Sequence, residues 1–186
     1  VTTTTASAQA TTAEPLTSVF TLHFGSRTLD DDVAWEGLED QAAFGLEYST
    51  RGPSGLGFDL GLFFSTDTAE DPGTGIDVTG SLLEVDIGGR YTYAGFSGAF
   101  ERFHPYAQAG LAVVAASIEA ESGGISASDD DGSLGLYLGG GAYAVLGSNF
   151  LLGVDARVLR GSSIELVGIS TDADYSEFTV FLGWGF

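Results

Sequence analysis

Residues 175–186, YSEFTVFLGWGF, alternate without interruption. Phe178, Val180, Leu182, Trp184 and Phe186 share one parity, while Glu177, Thr179, Phe181, Gly183 and Gly185 share the other. Successive side chains of a strand point to opposite faces, so one face of this segment is continuously apolar and ends in an aromatic pair. Such a strand is suited to face lipid.

Working back from it, seven more segments show the same period: residues 16–29, 41–51, 55–65, 81–93, 104–118, 133–146 and 149–159. In 55–65 the apolar parity is Leu56, Phe58, Leu60, Leu62 and Phe64, against Gly57, Asp59, Gly61 and Phe63. In 81–93, Leu83, Val85, Ile87, Tyr91 and Tyr93 oppose Glu84, Asp86, Gly88 and Arg90. Eight strands of about ten residues, with one apolar and one mixed face, predict an all-β, eight-stranded antiparallel up-and-down transmembrane barrel.

Composition narrows the choice. The 186 residues include 28 Gly and 12% aromatics, which suits one β domain with crowded turns. There is no cysteine, so disulfides and thiolate sites are excluded. No apolar run reaches the ~18–20 residues of a membrane helix, so a spanning role falls to strands. With 26 acids against six basic residues, all arginine, the net charge is −20. That surface repels nucleic acid and attracts cations.

Residues 1–15, VTTTTASAQATTAEP, lack a period and contain two small-x-small triplets, Ala6-Ser7-Ala8 and Ala8-Gln9-Ala10. They read as a flexible N-terminal tail or the remnant of a signal region, with the barrel in 16–186.

Parity alone does not say which face is inside. A soluble lipocalin-like barrel would line its cavity with the apolar parity. Here the charged parity also carries glycine and bulky Tyr or Phe, as a narrow filled interior requires. Aromatics at the strand ends (Tyr48, Phe64, Tyr93, Phe150, Trp184, Phe186) have the placing of a membrane girdle. The connections alternate too. Gly52-Pro53-Ser54 and Gly147-Ser148 are tight turns, whereas residues 29–40, 65–80, 119–132 and 161–174 are long and hold eighteen of the 26 acids with no basic residue. Residues 94–103, AGFSGAFERF, are too long for the tight-turn side and have no evident reason in the sequence.

The terminal strand ending in phenylalanine resembles the closing strand of bacterial outer-membrane β-barrels, in which that pattern is read by the barrel-assembly machinery. Over residues 16–186, including PYAQAGLAVVAA (105–116) and GLYLGGGAYAVL (135–146), the chain resembles the eight-stranded OmpA/OmpX-type barrels of the outer-membrane β-barrel domain family. The resemblance implies an outer-membrane location, lipid and the assembly machinery as partners, and Phe178, Val180, Leu182, Trp184 and Phe186 as the assembly signal. It also implies periplasmic termini and extracellular long loops. It leaves function open, because the family's fold hosts adhesins, conduits, anchors and a few lipid-modifying enzymes.

Candidate chemistry is sparse. His23 and His104 are the only histidines, and neither has a nucleophile and carboxylate nearby in sequence. Catalysis is not expected, and His23 reads as an interior hydrogen-bonding residue. Asp30, Asp31 and Asp32, and Asp129, Asp130 and Asp131, are weak metal candidates for loosely bound divalent cations. Consecutive acids lack the spacing of an EF-hand loop and read first as solvated charge. No cofactor is expected.

On the inward parity lie Glu47, Asp59, Glu84, Asp86, Asp155 and Glu177 with Arg90 and Arg157. They are expected to form a charged plug, Asp59 meeting Arg90, and Arg157 and Glu177 standing at similar height. The expected function is a non-enzymatic structural or surface-interaction protein whose acidic loops could serve surface hydration, cation capture or a basic or cationic extracellular partner. A narrow conduit for small or apolar solutes is the alternative, and a soluble ligand-binding barrel the third. The sequence does not give an oligomeric state.

Overall fold

The computed structural model describes residues 17–30, 35–71, 76–122, 125–166 and 168–186. The tail 1–15, Leu16, Asp31 and Asp32 therefore lie outside the described residues.

Eight strands close into an antiparallel barrel: β1 (Ser18–Leu29), β2 (Asp40–Thr50), β3 (Leu56–Asp71), β4 (Ile76–Thr92), β5 (Phe103–Ser122), β6 (Ile125–Leu146), β7 (Phe150–Arg160) and β10 (Tyr175–Gly185). Each pairs with its sequence neighbour in the barrel, and β10 returns to β1, with Phe20 opposite Trp184 and Arg27 opposite Glu177. Closure leaves no unpaired edge within the wall. The turn between β6 and β7 is tight because Gly147 adopts φ 73°, a left-handed conformation that side chains disfavour.

The expected alternation holds around the ring. Leu60, Leu62, Val85, Leu111, Leu136, Val154 and Val180 are all exposed on the outer wall. Their inward neighbours, Asp59, Glu84, Asp86, Tyr137, Asp155 and Thr179, are buried. An apolar band this large is not tolerated in water but is the natural surface of a lipid-embedded barrel.

Two of the expected long loops are instead strand. β3 and β4 stay paired to Asp71 opposite Ile76, and β5 and β6 to Ser122 opposite Ile125. β3 to β6 thus continue as a four-stranded sheet beyond the other strands. Their outer face changes character along its length. Leu83, Val113 and Leu134 are exposed apolar residues, and farther out the same face carries Asp77, Glu119, Glu121 and Asp130. That change marks the edge of the lipid band. The fourth connection also departs from expectation, since it holds a hairpin of β8 (Ser163–Leu166) and β9 (Ile169–Asp172).

Candidate functional site

The inward face is filled along the barrel in three layers. At the end bearing the long connections, an apolar cap joins wall and loop residues. Trp35 and Leu38 from the first connection pack with Ile164 and Leu166 of β8, against Leu29, Leu82 and Leu159. Trp35 is wholly buried, and its indole N–H donates to the carbonyl of Asp172 at 3.1 Å. Asp174 anchors the β8–β9 hairpin, its carboxylate accepting from the backbone N–H of Gly161 (3.0 Å) and Ser162 (2.9 Å). On the other side of the hairpin, the backbone N–H of Glu165 donates to Asp131 Oδ2 at 2.7 Å. These loops are therefore built into the fold through an apolar core that their acidic composition conceals.

Beneath the cap lies the charged layer. Arg27 pairs with Glu177 at 2.7 Å and Glu84 at 3.2 Å. Arg157 pairs with Asp86 at 2.5 Å, Glu84 at 3.3 Å and Glu47 at 3.4 Å. Arg90 donates to Glu47. Each guanidinium also lies over an aromatic ring: Arg27 over Tyr175 at 3.8 Å, Arg90 over Tyr106 at 3.7 Å, and Arg157 over Phe63 at 4.1 Å from the centroid. Planar guanidinium groups suit this combination of carboxylate fork and ring stacking.

Two aspartates have tyrosines in place of arginines. Asp59 accepts from the Tyr137 hydroxyl and Asp155 from the Tyr106 hydroxyl, the latter at 2.6 Å. Glycines make the room. A Cβ at Gly61 would stand 2.5 Å from an Asp86 carboxylate oxygen, and one at Gly88 would strike the Tyr137 hydroxyl, so any side chain there would displace the network.

This geometry corrects one expected pairing, keeps one expected height and adds one arginine. Arg90 meets Glu47, not Asp59. Arg157 stands beside Glu177 in the strand register but turns away from it, toward β2 and β4. Arg27, overlooked in the sequence, is a third interior arginine, fully buried. Its signal was present, since it shares inward parity with His23 on β1.

The third layer lies toward the tight turns. Tyr106, Tyr143, Leu151 and Phe181 pack together there with Val19 and Val145. Just above, His23 bonds to the Thr21 hydroxyl at 2.9 Å and the Thr179 hydroxyl at 3.1 Å. Its ring stacks on Phe181 at 4.8 Å and meets Phe63 edge-on at 5.4 Å. Both ring nitrogens are thus engaged and the ring is walled in. His104 lies beside Tyr143, with ring centroids 5.1 Å apart.

The described metal candidates, Asp30, Asp129, Asp130 and Asp131, do not converge. Asp30 lies 3.6 Å from Arg160. Asp129, Asp130 and Asp131 are successive residues of β6, so their side chains alternate across the sheet. Asp129 Oδ1 accepts from the Asp130 backbone N–H at 3.2 Å. Among the described residues, no group of three or more side chains is arranged to hold a metal ion.

A closed eight-stranded barrel with an apolar outer wall and a buried charged layer between two apolar and aromatic ones defines a transmembrane barrel of the outer-membrane class. The family model described as "Outer membrane protein beta-barrel domain" matches residues 1–186, and the chain belongs to that family. No curated protein matches the sequence. Among solved structures, the chain is similar to Neisserial surface protein A (NspA), with a TM-score of 0.63 and 14% identity over 91% of this chain and 96% of that one. It is similar to the outer membrane protein OprG of Pseudomonas aeruginosa, with a TM-score of 0.62 and 15% identity over 92% and 97% of the two chains. It is also similar to Ail, the attachment invasion locus protein of Yersinia pestis, with a TM-score of 0.56 and 16% identity over 91% and 97%. At these identities the likeness is one of fold. The chain is an outer-membrane protein in contact with membrane lipid.

Proposed function

We propose that the protein is a non-enzymatic surface-interaction protein. In this reading the barrel is a rigid anchor, both termini lie in the periplasm, and the long-connection end meets the exterior. The observation that carries it is the protruding sheet, whose outer face exchanges leucine and valine for Asp77, Glu119, Glu121 and Asp130. Asp77 and Glu121 are directly opposite each other on β4 and β5, a like-charge pairing that costs stability unless something cationic meets it. A basic protein surface or a cationic polymer is the partner class this face fits.

The charged layer and the apolar and aromatic layers on either side of it support an anchor over a conduit. His23, the buried base, has no open face toward a substrate. The Ail structure obtained with sucrose octasulfate, a heparin analogue, provides a contrast in charge. A polyanion of that kind is repelled by the acidic face here. Phe178, Val180, Leu182, Trp184 and Phe186 serve in this reading as the assembly signal.

The test is binding of a basic bait, polylysine, to the full chain in nanodiscs, with heparin as the opposite charge. Tight, salt-sensitive binding of polylysine, weakened by the triple variant Asp77→Asn, Glu119→Gln, Glu121→Gln, is the expected result. Binding unchanged by the triple variant, or a preference for heparin, would overturn the proposal.

A further inference from the structure

The connection between β4 and β5 is longer than closing the hairpin requires. The backbone N–H of Tyr93 already bonds the carbonyl of Pro105 at 2.9 Å, so a short turn just beyond would join the strands. Instead the chain runs out through AGFSGAFERF (94–103) and folds back. Tyr93 and Phe103 stand on the outer, lipid-facing parity, and Phe96 packs against both, edge-on to Tyr93 at 5.0 Å and tilted to Phe103 at 6.2 Å. Gly98, at φ 68°, starts a single 3-10 turn, Gly98–Phe100, that holds Phe100 outward. Phe100 is 68% exposed, the highest value among the exposed large hydrophobic residues. Arg102 follows, also exposed.

We propose that this loop is an interfacial hook. Phe96 and Phe100 enter the acyl boundary of the leaflet at the tight-turn end, and Arg102 holds the phosphate of an anionic phospholipid headgroup. Continuity supports the choice of occupant, since the Tyr93–Phe96–Phe103 cluster extends the lipid-facing wall without a polar break. Aromatic rings and a snorkelling arginine are the side chains that the interface between acyl chains and headgroups favours.

Charge complementarity supports it as well. Nearly all the described acids outside the barrel interior stand at the opposite end, while the described charged residues at this rim are Arg51, Glu101 and Arg102. In a chain of net charge −20, this rim is the place where an anionic headgroup is not repelled.

The absence of cysteine allows a clean test. Ala99→Cys and, as a water-exposed control, Ser148→Cys each place one fluorescent label on the full chain, folded into phosphatidylcholine vesicles with or without phosphatidylglycerol. At position 99 the expected result is strong quenching by lipids labelled just below the headgroup and several-fold weaker quenching by an aqueous quencher than at 148. Phosphatidylglycerol should deepen the lipid quenching, and Arg102→Gln should abolish that increment while Arg102→Lys retains it. Equal aqueous quenching at 99 and 148 would overturn the hook. Protection of 99 that appears only on adding soluble periplasmic proteins would also overturn it, by assigning the loop to a protein partner. Lipid quenching indifferent to phosphatidylglycerol would overturn the headgroup assignment.

Discussion

Arg27 and Glu177 face each other where the first and last barrel strands meet, and their side chains close that seam with an ion pair of 2.7 Å that is wholly buried. Arg27→Leu leaves Glu177 and Glu84 short of a counter-charge in a medium that cannot solvate them. The expected loss is about 3–5 kcal/mol, and Glu177→Gln in the same chain should restore part of it. Urea unfolding of the refolded barrel in detergent measures both. Strictly additive losses would show that the pair is not coupled.

Arg90 offers a sharper test of the interior map. Its carboxylate partner is Glu47, while Asp59 is held by Tyr137. Arg90→Leu should therefore be rescued more by Glu47→Gln than by Asp59→Asn. Better rescue by Asp59→Asn would restore the pairing expected from strand depth alone.

The outer wall predicts a position-dependent cost. Arginine at Leu60 or Val154, both in the apolar band, should cost about 2–4 kcal/mol, whereas Ser148→Arg at the tight turn should cost little. Folding yields into phosphatidylcholine vesicles give the comparison, and equal yields would remove the lipid assignment.

The two tryptophans report on opposite environments. Trp184 is 57% exposed on the outer wall, while Trp35 is enclosed in the cap. Brominated lipid should quench the fluorescence of Trp35→Phe strongly and that of Trp184→Phe hardly at all. Comparable quenching of the two variants would mean that the cap is open to lipid.

The barrel was legible because a period of two survives wherever one face is apolar, as in Leu56 to Phe64. The strand extensions were hidden because the parity inverts there: beyond Leu83 and Val113 the outer face passes to serine, threonine and acid, while Val78, Leu82, Ala116 and Ile118 turn inward against the cap, and in β3 and β6 neither face stays apolar. The cap was hidden for a related reason. Trp35 and Leu38 are isolated among acids, and their burial depends on Ile164 and Leu166, more than a hundred residues away in sequence. Parity gave the interior carboxylates, but their partners depend on side-chain reach across the lumen. Arg157 passes over its register neighbour Glu177 for Asp86 on β4, a choice made in three dimensions.

Backbone hydrogen bonds in a closed sheet join only adjacent strands, so such a ring can in principle be unzipped one strand at a time. Arg157 changes that mechanics. From β7 it reaches β4 three strands away in one direction and β2 three strands away in the other. Its guanidinium acts as a hub with spokes across the ring. Prising out β2, β4 or β7 breaks ion pairs with a strand on the far side of the ring at once, so these three strands hold or yield together.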